Sequence, residues 1–325
     1  MKFSKQLFHG AIAIACLTAI HGAFAQDAYP SKPIKIMVGF APGGPADGLA
    51  RIVAESLGSV FGQPLIVENR PGAGGTIAAA QVAKSPPDGY TLLLVSSGHA
   101  GNGAFYGNLS YEAVKSFSPI GGVASTPVVV LVNASSPYQT LSDLINDAKK
   151  NPGKLNYGTG GGATLTNLAA EQLKSDAGFD AKGVGYKGTG PVLAATLSGE
   201  IDAAFDTVTG AIGLTKAGKL RILAVTSAKR STVLPQIPTA AEQGVPRFDT
   251  VGWYGIIAPA GTPAPVITKF NAELNKALAS AAVREKLTTL GAEAMEGSPA
   301  QFTRFMESET TRWSTLIRKL NLRPE

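Results

Sequence analysis

The sequence predicts an α/β protein made of two Rossmann-like lobes with a ligand cleft between them. Apolar runs of strand length, rich in Val, Leu and Ile, alternate with helical patterns, which indicates parallel sheets covered by helices on both faces. One such unit ends at about residue 127 and a second follows it. Each unit contains a glycine-rich turn between a strand and a helix, which suggests a ligand clamped between the two units. About 300 residues suffice for two α/β domains with cores of their own.

The spacing of apolar residues gives the order of the elements. Strands are predicted at Ile34–Phe40, Leu65–Val67, Thr91–Ser96, Val128–Val132, Tyr157–Thr159, Ala203–Asp206, Ile222–Thr226 and Gly255–Ala258. Helices are predicted at Asp47–Leu57, Ile77–Lys84, Leu141–Lys150, Asn167–Ser175 and Pro191–Ser198. Near the C-terminus, apolar residues three or four apart after Val266 and after Phe302 indicate two core-packed helices. The second of these begins with Ser298 as N-cap and Pro299 in its first turn.

The N-terminal residues 1–25 are predicted to be a cleavable signal peptide, which directs the mature chain to the periplasm. Lys2 and Lys5 precede an apolar run, and Ala23-Phe-Ala25 fits the cleavage pattern. The apolar run is shorter than the roughly 20 residues of a membrane span. Cys16 lies in this segment, so a lipoprotein signal is the alternative, although the residues before it lack the usual leucine.

The composition provides few side chains that could catalyse a reaction or bind a metal ion. Cys16 is the only cysteine, and His99 is the only histidine after residue 25, so thiolate and multi-histidine metal sites are excluded from the mature chain. The formal charge of +6 falls to +4 without Lys2 and Lys5, and the remaining basic residues are scattered. A nucleic-acid-binding protein would need a concentrated basic face. We therefore expect no cofactor, no metal and no nucleic-acid partner.

The first glycine-rich turn follows the strand at Ile34–Phe40. Its Pro-Gly-Gly-Pro sequence ends at Pro45, and an amphipathic helix opens at about Ala46 to Asp47. Glycine lets the backbone approach a ligand closely, and the unpaired N–H groups of a helix start attract anions. The turn is thus a candidate cradle for a carboxylate or phosphate, with Ala46 lining a solvent-filled cleft. A tight strand-to-helix connection without a ligand is the alternative.

A second glycine-rich turn, Tyr157-Gly-Thr-Gly-Gly-Gly-Ala-Thr-Leu-Thr-Asn167, repeats the arrangement in the middle of the chain. Thr164 or Thr166 is predicted to cap the following helix and could also offer a hydroxyl to a ligand. Simple capping, without a ligand, explains either threonine equally well.

One motif is misleading. Gly183-Val-Gly-Tyr-Lys-Gly188 matches the dinucleotide-binding pattern, with Asp206 eighteen positions further on. The residues before it, Asp180-Ala-Lys, do not resemble a strand, and nicotinamide cofactors are scarce outside the cytoplasm. The pattern alone has a high false-positive rate, so a dinucleotide site is not favoured.

Taken together, these segments resemble the Bug family of bacterial extracytoplasmic solute receptors, the binding proteins of tripartite tricarboxylate transporters. The resembling segments span nearly the whole mature chain: Tyr29-Pro-x-Lys-Pro-Ile34, Phe40-Ala-Pro-Gly-Gly44 with Asp47 and Ala50-Arg51, Val67-Glu-Asn-Arg-Pro-Gly-Ala-Gly-Gly75, Pro87-Asp-Gly-Tyr-Thr-Leu92, Asn151-Pro-Gly-Lys-Leu-Asn-Tyr-Gly158, Tyr186-Lys-Gly188, Leu234-Pro-x-x-Pro-Thr-x-x-Glu242 and Ala258-Pro-Ala-Gly-Thr-Pro263. The set is specific, although no single segment would be.

The resemblance implies two lobes that close on a ligand like a Venus flytrap, the periplasmic binding protein architecture. Lobe 1 would comprise residues 26–127 and 249–325, and lobe 2 residues 128–248. A carboxylate of a small organic acid would lie between the glycine-rich loops, often with bridging waters. The implied ligand-binding residues are Phe40, Pro45, Ala46, Asp47, Ser97, Thr159, Gly161, Ala163, Thr164 and Asp206, with Thr207 beside the last.

The chain departs from the family pattern in places that concern the distal end of the ligand. The family often has a histidine where Asn167 stands, and His-Val-Pro where Gly183-Val184-Gly185 stands. The segment after Ser97 is also unusually rich in glycine. These departures leave the identity of the acid open, whether a dicarboxylate, a tricarboxylate or an aromatic acid.

The resemblance favours a monomeric receptor without catalytic activity that delivers its ligand to the membrane subunits of a tripartite tricarboxylate-type transporter. A receptor that feeds a two-component sensory system is the alternative, since it would use the same clamp. An enzyme is disfavoured because only His99 and a few carboxylates, such as Asp47 and Asp206, could act as a base in the cleft.

Overall fold

The computed structural model describes residues 29–246 and 248–324, so the predicted signal peptide lies outside the described residues. The strands are β1 (Ile34–Val38), β2 (Leu65–Asn69), β3 (Thr91–Ser96), β4 (Phe117–Asn133), β5 (Asn156–Thr159), β6 (Lys182–Gly185), β7 (Ala203–Thr207), β8 (Leu220–Val225), β9 (Val251–Pro259) and β10 (Glu293–Ala294). The helices are α1 (Pro45–Phe61), α2 (Thr76–Ala83), α3 (Gly98–Tyr106), α4 (Leu141–Lys150), α5 (Leu165–Ala177), α6 (Thr189–Ser198), α7 (Val208–Lys216), α8 (Ala264–Ala279), α9 (Ala281–Thr289) and α10 (Pro299–Lys319). Within the described residues, none of these helices has the length and apolar character needed to span a membrane.

The strands form one mixed sheet in the order β2-β1-β3-β9-β4-β7-β5-β6, and β8 and β10 pair with β4. The pairs β1–β2, β1–β3, β5–β6 and β5–β7 are parallel. The prediction of parallel sheets is therefore right for these strands. It is wrong for the middle of the sheet, where β4 runs antiparallel to β7, β8, β9 and β10, and β9 runs antiparallel to β3.

The long strand β4 belongs to both halves of the sheet. Its first part pairs with β9 up to Pro127, and from Val128 onward it pairs with β7 and β8. We call the half that contains β1, β2, β3 and β9 lobe 1, and the half that contains β5, β6, β7 and β8 lobe 2. The change of partner coincides with the predicted lobe boundary near residue 127, although the exact limits of the lobes stay a prediction.

The chain returns from lobe 2 to lobe 1 close to Val128. Thr226 forms hydrogen bonds to both connections between the lobes, to Val128 on the first and to Thr250 on the second. Its N–H donates to Val128 O, and its carbonyl accepts from Thr250 N. Its hydroxyl lies 2.9 Å from Val128 O and 2.6 Å from Thr250 O. Thr226 is fully buried, so these bonds form without competition from water.

Several elements escaped prediction because glycine and proline interrupt their sequences. These are α3, α7, β6 and the first part of β4; the helix α9 and the short β10, which contain neither residue, were also not predicted. In β4 and α3 the glycines make room for neighbours: a Cβ at Gly121 would lie 2.8 Å from Asn271 Nδ2, and one at Gly101 would lie 3.1 Å from Ile317 Cδ1. Close packing of another element, rather than local propensity, thus determines the structure there.

The last helix, α10, joins the C-terminus to lobe 1. The predicted cap is confirmed, because Ser298 Oγ accepts from Gln301 N and the Gln301 side chain accepts from Ser298 N. Along the buried face of α10, Glu309 Oε2 accepts from the indoles of Trp253 at 3.0 Å and Trp313 at 2.9 Å. A buried carboxylate therefore ties α10 to β9 through both tryptophans of the described residues.

His99, the one histidine in the described residues, is a core residue. Its ring is buried, its Nε2 lies 2.8 Å from Ala113 O, and it stacks on Tyr111 with centroids 5.6 Å apart. Burial lowers the pKa of His99 from its ordinary 6.5 to about 4, although the bond to Ala113 acts in the opposite direction. The imidazole is therefore neutral near pH 7 and serves packing.

Replacement of Thr226 by valine should destabilise the protein by about 1–3 kcal/mol, because it removes the one buried hydroxyl donor that lies between the Val128 and Thr250 carbonyls and keeps the shape of the side chain. Chemical denaturation measures the change. Thr226→Ser is the matched control: it keeps the hydroxyl and loses one methyl group, which should cost about 1 kcal/mol. Equal losses in both variants would show that the hydroxyl contributes nothing to the crossing.

The burial of His99 predicts a specific pH dependence of stability. Below about pH 6.5 the unfolded chain takes up a proton on this histidine, whereas the folded protein does so only near pH 4. The free energy of unfolding should therefore fall by about 3 kcal/mol from this residue as the pH drops across that interval. Urea denaturation of wild type and His99→Gln at several pH values isolates the effect. Parallel pH profiles for the two proteins would contradict it.

Candidate functional site

The two glycine-rich loops lie at the carboxyl ends of parallel strands, one in each lobe. The first loop joins β1 to α1, and the second joins β5 to α5. The carboxyl ends of β3 and β7 add Ser97 and Thr207 at the same edges. In open α/β sheets this edge is where ligands bind, because loops and helix N-termini converge there.

In the first loop, Asp47 holds the backbone in place. Its Oδ2 accepts from Gly43 N at 3.0 Å and from Arg51 Nε at 2.9 Å, while Oδ1 accepts from Asn69 Nδ2 at 3.0 Å. Desolvation would raise the pKa of Asp47, but the bonds from Arg51, Gly43 and Asn69 outweigh it and lower that pKa below its ordinary value. The ionised side chain is fully engaged in fixing the loop.

The start of α1 offers unpaired donors next to Asp47. Gly44 is the N-cap and makes no side-chain cap, and Pro45 has no N–H. Within the described residues, the main-chain N–H groups of Ala46 and Asp47 meet no acceptor. Two N–H groups at the positive end of a 17-residue helix are therefore available to an anion.

The side chain of Ala46 does not line a solvent-filled cleft. It is 4% exposed and belongs to the same buried apolar cluster as Leu49 and Tyr254. The expectation that this side chain faces open solvent is wrong, because it packs inside this apolar cluster. Only the main chain of Ala46 remains a candidate for contact with a ligand.

The second loop is held by a network of its own side chains. Thr159 Oγ1 accepts from Gly161 N and donates to Asn167 Oδ1, and Asn167 Nδ2 donates to Gly162 O at 2.9 Å. Gly161 and Gly162 have φ of 68° and 55°, a left-handed conformation that favours glycine. Asn167, one of the departures from the family pattern, thus fixes the shape of this loop.

Thr164 occupies the N-cap position of α5 but does not cap it in the expected way. Its hydroxyl donates backward to Gly161 O at 2.7 Å and lies 3.2 Å from Thr166 Oγ1. Thr166 Oγ1 in turn accepts from Gly160 N. No acceptor in the described part of the chain is found for the N–H groups of Leu165 and Thr166, so α5 also presents open donors.

The helix α3 of lobe 1 lies against the second loop. A Cβ at Gly98 would lie 3.1 Å from Ala163 O, so the start of α3 in lobe 1 touches the second loop in lobe 2. The Tyr106 hydroxyl lies between the lobes, since it would be 3.4 Å from a Cβ at Gly74 and 3.0 Å from a Cβ at Gly162. The sequence analysis did not predict that Tyr106 lies between the lobes. The high number of glycines after Ser97 was a sign that another part of the chain approaches this helix closely.

Ser97 and Phe40, two further residues predicted to bind the ligand, make contacts within lobe 1. Ser97 Oγ accepts from Trp253 N at 2.7 Å and donates to Trp253 O at 3.3 Å, so its buried hydroxyl joins β3 to β9. The half-buried Phe40 lines a cavity of about 10 Å³ together with Gly75 and His99. That volume is about the size of one water molecule.

Asp206 lies near the end of β7 in lobe 2. It is 3% exposed, and its Oδ1 accepts from Thr207 N at 2.7 Å and from Thr189 Oγ1 at 3.2 Å. Burial raises the pKa of Asp206 to about 7, although the bonds from the two threonines oppose the shift. Its charge in turn adds to the burial that raises the pKa of Tyr254, on β9 of lobe 1. The sequence analysis did not predict Tyr254 as a site residue, because Tyr254 and Asp206 are far apart in the sequence.

A separate cavity of about 260 Å³ lies beside the crossings between the lobes. Its lining includes Pro127, Arg230, Asp249 and Glu293 and none of the predicted site residues. The predicted residues instead gather around the two glycine-rich loops. The unpaired donors described above are main-chain N–H groups rather than cations, which suits an anionic ligand of modest charge density.

Comparison with known proteins places the chain in a family. The family model described as "Tripartite tricarboxylate transporter family receptor" matches residues 49–322. A protein encoded in the tcbD–tcbE intergenic region of Pseudomonas sp. strain P51 is 38% identical over 307 residues, which cover 94% of this chain and 91% of that protein. Protein BugT of Bordetella pertussis is 34% identical, with 95% of each chain covered.

Solved structures agree with these relatives. R. palustris Rpa4515 with adipate is 35% identical and has a TM-score of 0.87, covering 91% of this chain and 100% of that chain. MatC from Rhodopseudomonas palustris with bound malate is 33% identical and has a TM-score of 0.82, covering 89% and 100%. The fold, the order of the elements and the sequence agree along nearly the whole chain, which therefore belongs to the tripartite tricarboxylate transporter receptors, the family of the Bug proteins.

Proposed function

We propose that this protein is a periplasmic receptor that binds a small organic carboxylate between its lobes and passes it to the membrane subunits of a tripartite tricarboxylate-type transporter. The observation that carries the proposal is the pair of uncapped helix starts. The first turn of α1 and the first turn of α5 both present unpaired N–H groups at the carboxyl edges of the two half-sheets, and α3 of lobe 1 touches the loop before α5. Such donors suit a carboxylate held from both sides.

The site residues of this proposal divide into two kinds. The main-chain N–H groups of Ala46, Asp47, Leu165 and Thr166 would donate to the carboxylate, and Thr159, Gly161, Ala163 and Thr164 would shape the loop beside it. Phe40, Pro45, Ser97 and Asp206 would shape the remaining walls. Support for a carboxylate also comes from the relatives, since one solved structure contains adipate and another contains malate.

Neutral donors are sufficient for useful affinity. A hydrogen bond to a charged group contributes about 1.5–3 kcal/mol net, and a neutral one about 0.5–1.5 kcal/mol. Four or five such bonds, together with closure of the lobes, can reach about −8 kcal/mol, which corresponds to micromolar affinity. The protein needs no lysine or arginine at the carboxylate. We propose in addition that it is a monomer, reaches the periplasm by a cleaved signal peptide, and leaves its ligand chemically unchanged.

A thermal-shift screen of residues 26–325 against organic acids, including adipate and malate, tests the proposal. At one hundred times its Kd, a ligand should stabilise the protein by about 2.7 kcal/mol. Mass spectrometry after prolonged incubation should recover the same acid. The proposal fails if no acid in the panel stabilises the protein, or if a new product accumulates in step with protein concentration.

Thr164→Val should weaken binding of the best acid from that screen by about 1–3 kcal/mol, because it removes the hydroxyl that donates to Gly161 O and fixes the second loop, while it keeps the shape of the side chain. Calorimetric titration measures the affinity, with circular dichroism as the check on folding. Thr215→Val is the matched control, since the Thr215 hydroxyl bonds only to Ala211 O on α7. If the two variants bind equally well, Thr164 has no part in the site.

A further inference from the structure

The segment Gly291–Glu293 of lobe 1, which leads from α9 into β10, contacts lobe 2 at two places. At its end, Glu293 Oε1 accepts from Thr232 N at 3.2 Å and from Thr232 Oγ1 at 2.6 Å. Thr232 belongs to the segment Ser227–Leu234, which follows β8 in lobe 2. A carboxylate oxygen with two donors, one of them at short distance, thus joins the two lobes directly.

The beginning of the same segment contacts the start of α7 in lobe 2. The buried Thr126 hydroxyl, on the lobe 1 part of β4, donates to Gly291 O at 3.2 Å and accepts from Thr209 Oγ1 at 3.1 Å. A Cβ at Gly291 would lie 2.5 Å from Val208 Cγ1, and Gly291 has a φ of 74°, which favours glycine. The missing side chain therefore lets the two lobes meet at this point.

Each side of the Thr232–Glu293 contact is fixed to its own lobe. In lobe 1, Glu293 lies on β10, which pairs with β4, and the adjacent Ala292 is buried in an apolar cluster of that lobe. In lobe 2, Arg230 Nε donates to both carboxylate oxygens of Glu242, at 3.1 and 3.0 Å, and Leu234 is buried in the cluster around β8. A rotation of one lobe against the other therefore acts on the bonds between them rather than on either anchor.

These bonds are formed in an arrangement in which the lobes also meet at the cleft. The Tyr106 hydroxyl of α3 would lie 3.0 Å from a Cβ at Gly162, in the second glycine-rich loop. Val208 and Thr209, which adjoin Gly291, directly follow Thr207 at the carboxyl edge of lobe 2. We call this the closed arrangement, and we expect the contacts of Gly291–Glu293 to separate when the lobes open.

We propose that Glu293 and Thr232, supported by the contact of Gly291 with α7, form an interlobe latch that stabilises the closed arrangement before any ligand arrives. None of these residues belongs to either glycine-rich loop, so the latch acts on the lobes and not on the ligand. A bond that exists in only one of two conformations shifts their ratio by its own net free energy. Loss of both bonds to Glu293 should therefore raise the ratio of open to closed lobes about tenfold.

Double electron–electron resonance between two nitroxide labels measures this ratio, and it needs no ligand. Cys16 is the only cysteine of the sequence, so residues 26–325 contain none and labels attach only where cysteine is introduced. Arg70→Cys and Lys187→Cys are exposed positions just after the carboxyl ends of β2 and β6, the outermost strands of the two lobes. Both lie at the edge of the sheet that borders the cleft, so the distance between the labels should grow as the lobes open.

The labelled parent protein should show a short-distance population from closed lobes beside a long-distance one. Glu293→Ala should raise the ratio of long to short distances about tenfold, and Thr232→Val about threefold, because the Thr232 N–H still donates. The double variant should open the lobes no further than Glu293→Ala alone, since the Thr232 hydroxyl has then lost its acceptor. Thr232→Ser, which keeps the hydroxyl, and Thr215→Val, whose hydroxyl bonds only within α7, should match the parent.

Two results would overturn the latch. One is a parent protein with only the long distance, since the closed arrangement would then need a ligand. The other is a distance distribution for Glu293→Ala and Thr232→Val that matches that of Thr215→Val, since the bonds would then persist in both arrangements. Because no acid is added, the outcome is independent of the proposed receptor function, which the thermal-shift screen tests separately.

Discussion

The arrangement of the whole molecule depends on the place where the chain crosses twice between its lobes. There β4 changes partners after Pro127, and the buried Thr226 binds Val128 and Thr250 through its main chain and its hydroxyl. Because both crossings are tied at one point, the two half-sheets keep a defined relation and their carboxyl edges lie on either side of one cleft. A bistable closure needs such a narrow connection, since few bonds must deform when the lobes move.

This constraint explains why the proposed site is made of main chain. Each lobe delivers a strand, a glycine-rich loop and a helix start to the cleft, and the loops are already fixed by Asp47 in one lobe and by Asn167 in the other. The donors are therefore preorganised before a ligand arrives, and less conformational entropy is lost on binding. Neutral donors also bind through short-range contacts, so salt should screen the interaction weakly.

The three buried acidic residues of the described chain, Asp47, Glu309 and Asp206, show that the groups around a carboxylate determine its structural role. Asp47 is paired with Arg51 and fixes a loop, and Glu309 accepts from two indoles and fixes a helix. Both are satisfied within the chain, as a structural carboxylate must be. Asp206 accepts only from threonine residues, and all of these bonds reach one of its oxygens. A group left with this much unused hydrogen-bonding capacity at a cleft is where a ligand is expected to complete the structure.

The sequence by itself determined the local parts of this protein. Alternating apolar runs predicted most strands and helices. The N-cap at Ser298 followed from the residues after it. Both glycine-rich loops could be recognised because the strand, the glycines and the helix follow one another in the sequence. The tertiary structure decided the rest. It set the antiparallel middle of the sheet, buried the side chain of Ala46 and brought Tyr254 to Asp206. Those outcomes depend on contacts between residues far apart along the chain, which local propensity and spacing do not encode.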